Sequence, residues 1–232
     1  MAGLQTIVDY CNGMTINRRK VVGIQITRNE IPRLSTTPTK NPWKFQLDMP
    51  SSFRYSDARQ LMEALDTLDR TGYQDITFSN NACLNWIFRY QGSLSASQLA
   101  GIRVATPNGF VGTTLTLTNL PAVASSRVLF EANDLIQIGS HPYPFTSTTQ
   151  VLRGTGSTVT VTTHRPNIIS TSVDNSAITV GNACQFRLFC PNMPVYKLVP
   201  GGAKYAAGGT LINNALIEWS DAFELYEYVG TS

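Results

Sequence analysis

Two neighbouring segments in the middle of the chain constrain the fold most strongly. Residues Phe130–Gly139 read as a strand, a tight turn at Asn133-Asp134 and a second strand, because Asn and Asp tolerate the left-handed backbone angles that a short turn requires. Residues Thr158–Thr163 are almost all β-branched, which suits a pleated strand and disfavours a helix. Short strands joined by tight turns predict a small barrel or sandwich. None of these residues is a reactive group in an activating setting, which points away from an enzyme.

Strand patterns also flank this central region. Residues 43–49 alternate apolar and polar side chains, with the period of two that a half-buried strand shows. In the closing segment Asp221 interrupts a similar alternation, which predicts a bulge or a bend at Ser220-Asp221. Further strands are predicted at Val21–Thr27, Asn85–Tyr90 and Gln185–Phe189. The sequence therefore predicts a mainly β, α+β fold.

One substantial helix is expected, over Asp57–Arg70. Ser56 suits the N-cap position, and Gly72 can adopt the left-handed conformation that ends a helix. The apolar positions of the segment recur at helical spacing and form one stripe, which predicts that the helix packs on a sheet. The stripe consists of Ala58, Leu61, Met62, Leu65 and Leu68.

A change of composition suggests two domains. From about Ser95 to Pro166 the chain is rich in Thr, Val, Gly and Ser. We expect residues 95–166 to form an inserted small β barrel within a base domain of residues 1–94 plus 167–232. Two loops, Arg33–Pro42 and Pro200–Gly209, carry Pro or Gly and few apolar anchors, so we expect them to be irregular and to become ordered at interfaces.

The low charge content limits the classes of function. Charged residues make up 14% of the chain, below the roughly 25% of ordinary soluble domains. Surfaces poor in charge are typical of subunits covered by identical neighbours, and equally of secreted Thr-rich β proteins. The net charge of +3 and the single basic run Arg18-Arg19-Lys20 do not indicate a nucleic-acid site, and the run is interpreted as a charged strand entry.

The four cysteines predict neither disulfides nor a metal site. Cys184 and Cys190 stand at opposite ends of a predicted strand, too far apart to be bridged, and neither His141 nor His164 is near a cysteine in sequence. Reduced, buried thiols are expected, as in a protein assembled in a cytoplasm. The N-terminus lacks the pattern of a signal peptide, and no apolar run reaches membrane-spanning length.

No catalytic pattern stands out. Adjacent residues on a strand point to opposite faces, so Ser140 and His141 are not expected to form a nucleophilic pair. His164-Arg165-Pro166 reads as the close of a strand. The acid pairs Asp66/Asp69 and Glu224/Glu227 have a spacing that glycan hydrolysis allows, but solvated faces explain them better. Among aromatics suited to stacking on sugars, the long loops offer only Tyr143 and Phe145. We therefore assign no catalytic, cofactor-binding or metal-binding residues and no cofactor.

The central segment resembles a module of tailed-bacteriophage structural proteins that form the distal-tail or baseplate-hub rings. The resemblance rests on Phe130, the Asn133-Asp134 corner, the run Leu135–Gly139 and the later Gly-rich turn before a Thr/Val strand that ends near Pro166. The usual Gly before the Asp is Asn133 here, a residue that also visits left-handed angles. The resemblance extends more loosely to the strand around residues 43–47 and to the pattern at 186–188 and 222–225.

This resemblance implies a structural virion protein rather than an enzyme. It implies a tail-tube-like β domain with one packed helix and an inserted β barrel, assembled in the host cytoplasm into the tail and baseplate of the virion. The protein would form a homo-oligomeric ring, a hexamer with the sixfold symmetry of the tail. That ring would connect the tail tube to hub and baseplate proteins, without recognising a nucleic-acid sequence or inserting into a membrane.

Two other functions stay open. The first is a tail-tip module that binds a host receptor or glycan, which requires two or three clustered, exposed aromatic rings. The second is a peptidoglycan hydrolase, which requires a convergent acid pair in a cleft.

Overall fold

Short β-strands dominate the described part of the chain, which confirms the mainly β prediction. The structure, a computed structural model, describes residues 3–17, 22–26, 32–36, 42–50, 54–55, 58–59, 63, 72–200, 204–205, 211–212 and 215–229. Among the described residues, the helices with both ends described are α1 (Gly3–Tyr10) and α2 (Ala96–Ala100), with a 3-10 turn at Gly181–Ala183. The strands are β1 (Gly13–Asn17), β2 (Val22–Ile26), β3 (Pro32–Thr36), β4 (Lys44–Asp48), β5 (Tyr73–Ile76), β6 (Arg103–Val104), β7 (Phe110–Val111), β8 (Thr114–Thr118), β9 (Val128–Phe130), β10 (Leu135–Ile138), β11 (Phe145–Thr146), β12 (Val151–Leu152), β13 (Val159–Thr162), β14 (Ile178–Val180), β15 (Phe186–Phe189), β16 (Tyr196–Pro200), β17 (Lys204–Tyr205), β18 (Leu211–Ile212), β19 (Ala215–Trp219) and β20 (Phe223–Glu227).

The chain divides into two compact units. Unit 1 comprises Met1–Ile16, Lys44–Asn85 and Arg187–Tyr228. Unit 2 comprises Asn17–Trp43, Trp86–Phe186 and Val229–Ser232. The predicted division into a base domain of residues 1–94 plus 167–232 and an insertion of residues 95–166 stays a prediction.

Unit 1 is built on a five-stranded sheet with the order β1-β4-β20-β15-β5. Strand β4 shows the predicted alternation, because Phe45 and Leu47 are buried while Gln46 and Asp48 are exposed. Helix α1 buries Leu4, Ile7 and Val8, which recur at the spacing of one helical face. Two ribbons of two strands each, β16-β19 and β17-β18, complete the described strands of this unit.

Several small sheets form unit 2. They have the orders β11-β10-β14, β12-β9 and β13-β8-β6, with β7 also paired to β8, and the ribbon β2-β3 falls in the same chain range. None of the described sheets closes into a barrel, in contrast to the expected small barrel, because strands of two to five residues end before they can curl round. Their buried side chains share one core. Its members include Ile102, Val104, Leu115, Leu117, Phe130, Ile136, Ile138, Phe145 and Val161.

A turn is present one residue before the predicted Asn133-Asp134 position, at Ala132-Asn133, and the buried carboxylate of Asp134 holds it. Asn133 adopts a left-handed φ of 73°. Asp134 is only 3% exposed, and its carboxylate accepts the backbone N–H groups of Glu131 and Gln91, each at 2.8 Å, and of Gly92. Burial raises the pKa of Asp134 above its ordinary value, against the lowering effect of these hydrogen bonds. The carboxylate therefore joins the turn to a segment some forty residues earlier in the chain.

The strands on either side of this turn do not form a hairpin. Strand β9 pairs with β12, while β10 pairs with β11 and β14. Strand β10 is buried along its whole length, as expected of a strand with sheet neighbours on both sides. The turn is thus a corner between two sheets, because β9 and β10 pair with different strands.

The segment Asn85–Tyr90 was predicted to be a strand, and this prediction is wrong. Residues 82–88 form consecutive turns. The side-chain oxygen of Asn81 accepts the N–H groups of Cys83 and Leu84, and the N–H of Asn85 bonds to the Asn81 carbonyl. Local bonds of this kind satisfy the backbone without a neighbouring strand.

The prediction of irregular loops fails where the described residues allow it to be tested. In the first loop, residues 33–36 belong to β3, which pairs with β2 in full register. Proline is acceptable at Pro32 because it begins a strand of a two-stranded ribbon, where both strands are edges. In the second loop, Lys204-Tyr205 is strand β17 and pairs with β18. The remaining positions, 37–41, 201–203 and 206–209, lie outside the described residues.

Most of the predicted helix Asp57–Arg70 lies outside the described residues. Of its positions, Ala58, Arg59 and Glu63 are described, and all three are helical. Ala58 is buried against Ile217 of β19, while Arg59 and Glu63 are exposed. These three residues agree with the predicted apolar stripe.

Replacing Asp134 tests its role in the corner. We expect Asp134→Ala to lower the free energy of unfolding by about 2–3 kcal/mol, because it leaves buried backbone N–H groups without an acceptor. Denaturant unfolding measures this change. Glu131→Ala is the matched control, since Glu131 lies in the same turn and accepts a bond only from the exposed side chain of Gln150 at 2.8 Å, so its loss should cost less than about 0.5 kcal/mol. Equal costs for the two variants would contradict the assigned role.

Candidate interaction surface

The β16-β19 ribbon of unit 1 presents an apolar face. Its register places Tyr196 opposite Trp219 and Leu198 opposite Ile217. Directly opposed residues of an antiparallel pair share a face, so these four side chains lie together. Ile217 is fully buried against Ala58, and the Trp219 ring contacts the rings of Tyr196 and Phe223 at centroid distances of 5.7 and 4.7 Å. The β19 half of the face is therefore covered.

The side chains that β16 contributes to the ribbon are exposed to solvent. Val195 is 72% exposed, Leu198 45% and Tyr196 37%. The carbonyl of Val195 accepts the N–H of Ser220 at 2.9 Å, so it continues the ribbon. We call Val195, Tyr196 and Leu198 the apolar edge, in which Tyr196 and Leu198 lie on the face of Ile217 and Val195 lies on the opposite face of the ribbon. Strand β16 pairs only with β19 among the described strands, and an exposed apolar edge strand is a site where another chain can bind.

A bend is present at Ser220-Asp221, where a bulge or a bend was predicted, and two grooves share Asp221. One groove, of about 380 Å³, is lined by Val195, Asp221 and Glu224 among others. The second, of about 370 Å³, is lined by Asp48, Glu218 and Asp221 beside apolar residues of β19. Of the apolar edge, Val195 therefore shares a groove with the carboxylates of Asp221 and Glu224.

Charge is unequally divided between the two units. The chain range of unit 1 contains seven basic and eleven acidic residues, a net charge of −4. The range of unit 2 contains eleven basic and four acidic residues, a net charge of +7. Six of the basic residues of unit 2, with a single acidic residue, fall within residues 17–42, around the β2-β3 ribbon. The overall charge of +3 conceals this separation.

A lysine, a glutamate and a tyrosine form a polar cluster on the five-stranded sheet. Lys44 Nζ lies 3.0 Å from Glu224 Oε2, and the Tyr226 hydroxyl donates to the same oxygen at 2.8 Å. The pKa of Glu224 is lowered, first by Lys44 and then by Tyr226. The pKa of Lys44 is raised, first by its bond with Tyr226 and then by Glu224. Both side chains are partly exposed, so solvent weakens the pair.

Aromatic rings cluster at the other end of this sheet. Tyr73 and Tyr228 are 47% and 39% exposed, and their rings stack at a centroid distance of 4.8 Å. The Arg187 guanidinium lies 4.7 Å from the centroid of Tyr73 and forms two bonds to Asp75, at 2.8 and 3.0 Å. Two exposed rings therefore lie together, but their faces already contact each other and Arg187.

The acid pairs considered for hydrolysis do not come together where the structure describes them. Glu227 is 4% exposed and lies on the buried face of β20, whereas Glu224 lies on the opposite face with Lys44. Residues three apart on a strand point in opposite directions, so these carboxylates cannot share a substrate. Asp66 and Asp69 lie outside the described residues.

The histidines and loop aromatics occupy structural positions in unit 2. His164 Nδ1 accepts the N–H of Thr146 at 2.9 Å, and its ring lies 5.5 Å from that of Trp43. Arg165 is fully buried over the Phe145 ring and donates to the carbonyl of Pro144 at 3.0 Å. Ser140, His141 and Tyr143 follow Gly139 in a turn. The backbone N–H of His141 donates to the carbonyl of Ile138, and the N–H of Tyr143 donates to the carbonyl of His141.

Three of the four cysteines are buried, and none of the four, all of them described, is in a disulfide. Burial raises the pKa of Cys11 to about 12, that of Cys190 to about 11, and that of Cys184 still further. Cys83 is exposed, contrary to the expectation of four buried thiols. It lies in the turns that begin at Asn81, where the sequence predicts a strand only a few residues later.

Sequence patterns alone did not single out the apolar edge. Tyr196, Lys197 and Leu198 alternate as a half-buried strand would, and the exposed state of Tyr196 and Leu198 depends on which neighbours cover them. The separation of charge was detectable in the sequence only once the unit boundaries were known.

Models of known protein families give no match to this chain, and the curated proteins include no significant match. Function is therefore inferred from the residues and surfaces of the chain itself. Among the described residues, no helix is long and apolar enough to cross a membrane.

The pKa of Glu224 tests the polar cluster. In the native protein we expect NMR titration to give a pKa below the ordinary value of a glutamate, and we expect Lys44→Met to move it back upward because the cation is lost. The contribution of Glu224 to stability is fully present above its unfolded-state pKa and declines as the pH falls through the lowered folded-state pKa. An unchanged pKa in Lys44→Met would show that the pair does not form.

Thiol reactivity tests the burial of the cysteines. At about pH 8, one thiol per native chain should react quickly with a disulfide reagent, because the buried thiols have raised pKa values and little access. Cys83→Ser should abolish the fast reaction, while Cys11→Ser should leave it unchanged. Fast reaction of a second thiol in the native chain would contradict the assigned burial.

Proposed function

We propose that this chain is a structural protein of a bacteriophage tail, which forms a ring at the distal tail tube or baseplate hub and connects the tube to baseplate components. The observation that carries the proposal is the segment Phe130–Gly139. Its resemblance to a phage tail module centres on an aspartate, and in this chain that aspartate holds a corner between two sheets.

The surface of the chain supports an assembly function. It is poor in charge, and unit 1 has an apolar edge open to solvent. Isolated exposed apolar residues are common on soluble proteins, but neighbouring ones on an edge strand are typical of binding sites. The catalytic candidates that the structure describes have structural positions instead.

The distribution of charge favours contacts between unit 1 of one copy and unit 2 of another. A two-fold contact can form this pairing twice, because residue i meets residue j and j meets i across the axis. A head-to-tail contact brings the acidic unit of one copy to the basic unit of the next. If the rotation between copies closes, this contact repeats around a ring and each contact reinforces the others.

A tail-tip module that binds a host receptor or glycan is the second candidate. The exposed rings of Tyr73 and Tyr228 favour it, because stacked sugars need clustered aromatic side chains. Their contacts with each other and with Arg187 leave less ring area for a sugar. The opposite faces of Glu224 and Glu227 give no support to a hydrolase.

Electron microscopy of the purified protein tests the proposal. Class averages should show closed rings with sixfold symmetry, and sedimentation should give the matching mass with no added partner. A monomer at every concentration, together with saturable binding to host surface glycans that Tyr73→Ala removes, would overturn the ring and establish the second candidate. Val111→Ala, at another exposed apolar position, serves as the control for glycan binding.

A further inference from the structure

Asn81 connects an exposed cysteine of unit 1 to a buried one. Its Nδ2 lies 3.4 Å from the Sγ of Cys11, and its Oδ1 accepts the backbone N–H of Cys83 at 2.8 Å. The Cys11 sulfur and the Cys83 nitrogen are therefore no more than about 8.5 Å apart, because only the two end atoms of one amide separate them. Cys83 also contributes to the raised pKa of Cys11, after burial and Asp9, and such an effect requires the two thiols to lie near each other.

The two thiols differ in their access to solvent. Cys83 is exposed, so a dissolved disulfide can reach it, whereas Cys11 is 2% exposed and is shielded from such a reagent. Burial raises the pKa of Cys11 to about 12, and its thiol donates to the carbonyl of Val8 at 3.2 Å, so little of it is thiolate at neutral pH. Cys83 is therefore the thiol that reacts first, and Cys11 is suited to a slow second step within the chain.

A bond between these cysteines would fasten two segments that are far apart in sequence. Cys11 lies between helix α1 and strand β1, while Cys83 lies in the turns that begin at Asn81. The bond would close a loop of about 70 residues, and the constraint that a disulfide places on the unfolded chain increases with the length of the loop. Turns held by local bonds adjust their backbone more readily than paired strands, and the approach of the two sulfur atoms requires such an adjustment.

We propose that Cys83 and Cys11 form a disulfide by exchange with a small disulfide of the glutathione type. The Cys83 thiolate attacks one sulfur of the small disulfide, whose S–S bond breaks and releases a thiolate that takes up a proton. The Cys11 thiolate then attacks the Cys83 sulfur of the mixed disulfide and displaces the second small thiol. Two protein thiols are oxidised, and one small disulfide is reduced to two thiols. The pair lies within one chain, so the inference does not depend on the proposed function.

Oxidised glutathione, followed by measurement of the intact mass, tests the order of the steps. At about pH 8, the native chain should first gain one glutathione and then lose it again, to give a chain two hydrogens lighter than the starting protein. Peptide mapping without reduction should find Cys11 linked to Cys83. A glutathione adduct that persists without this link, or a link only between the Cys83 residues of two chains, would overturn the proposal.

Single substitutions separate the two roles. Cys11→Ala should stop at the glutathione adduct, and so should Cys11→Ser, which keeps a donor towards Val8. Cys83→Ala should form neither the adduct nor the link. Cys190→Ala is the matched control, because Cys190 also belongs to unit 1, is 1% exposed and has a raised pKa, and this variant should react as the wild type does. Circular dichroism checks that each variant remains folded. Loss of the adduct from Cys11→Ala as fast as from the wild type would overturn the second step.

Urea unfolding of the purified oxidised chain measures the consequence of the bond. Its midpoint should lie above that of the reduced chain, and dithiothreitol should restore the lower value. Cys11→Ala treated with oxidised glutathione in the same way should show no rise. A midpoint that does not rise in the wild type would overturn the fastening of the two segments.

Discussion

The carboxylate of Asp134 is the interaction on which the architecture of unit 2 depends. It accepts three backbone N–H groups, two of them from a segment about forty residues earlier, and it does so while almost completely buried. A buried carboxylate is costly unless it is hydrogen-bonded, so the site tolerates neither its neutral isostere nor its absence well. The turn that it holds connects β9 and β10, which pair with different strands.

The two units differ in how far their apolar side chains are covered. In unit 2 the buried side chains converge on one core, whereas unit 1 combines a covered sheet with a ribbon that is covered on one half only. The two units carry net charges of opposite sign, −4 and +7, which the total of +3 does not reveal. Unit 1 of one copy and unit 2 of another therefore attract, whereas like units repel.

Patterns in the sequence predicted the structural features that depend only on a few neighbouring residues. The alternation around Phe45 and Leu47, the left-handed Asn133 and the bend at Ser220-Asp221 each follow from a few neighbouring residues, and each is present. The predictions were wrong where the backbone conformation depends on a side-chain hydrogen bond or on a partner distant in sequence. Asn81 converts a strand-like sequence into turns through its own side chain, and Pro32 enters a strand because a ribbon has two edges. The exposure of Leu198 depends on tertiary packing, which no alternation of residues encodes.

The bend at Ser220-Asp221 has a mechanical consequence. It connects β19, which belongs to the exposed ribbon, directly to β20, the central strand of the five-stranded sheet. Tension applied to the ribbon therefore passes along the backbone into a strand bonded to β4 on one side and β15 on the other. When β20 is pulled along its length, the force is shared by its hydrogen bonds to β4 and to β15, so these bonds do not open one after another. A ribbon anchored in this way can transmit force to the sheet without peeling from it.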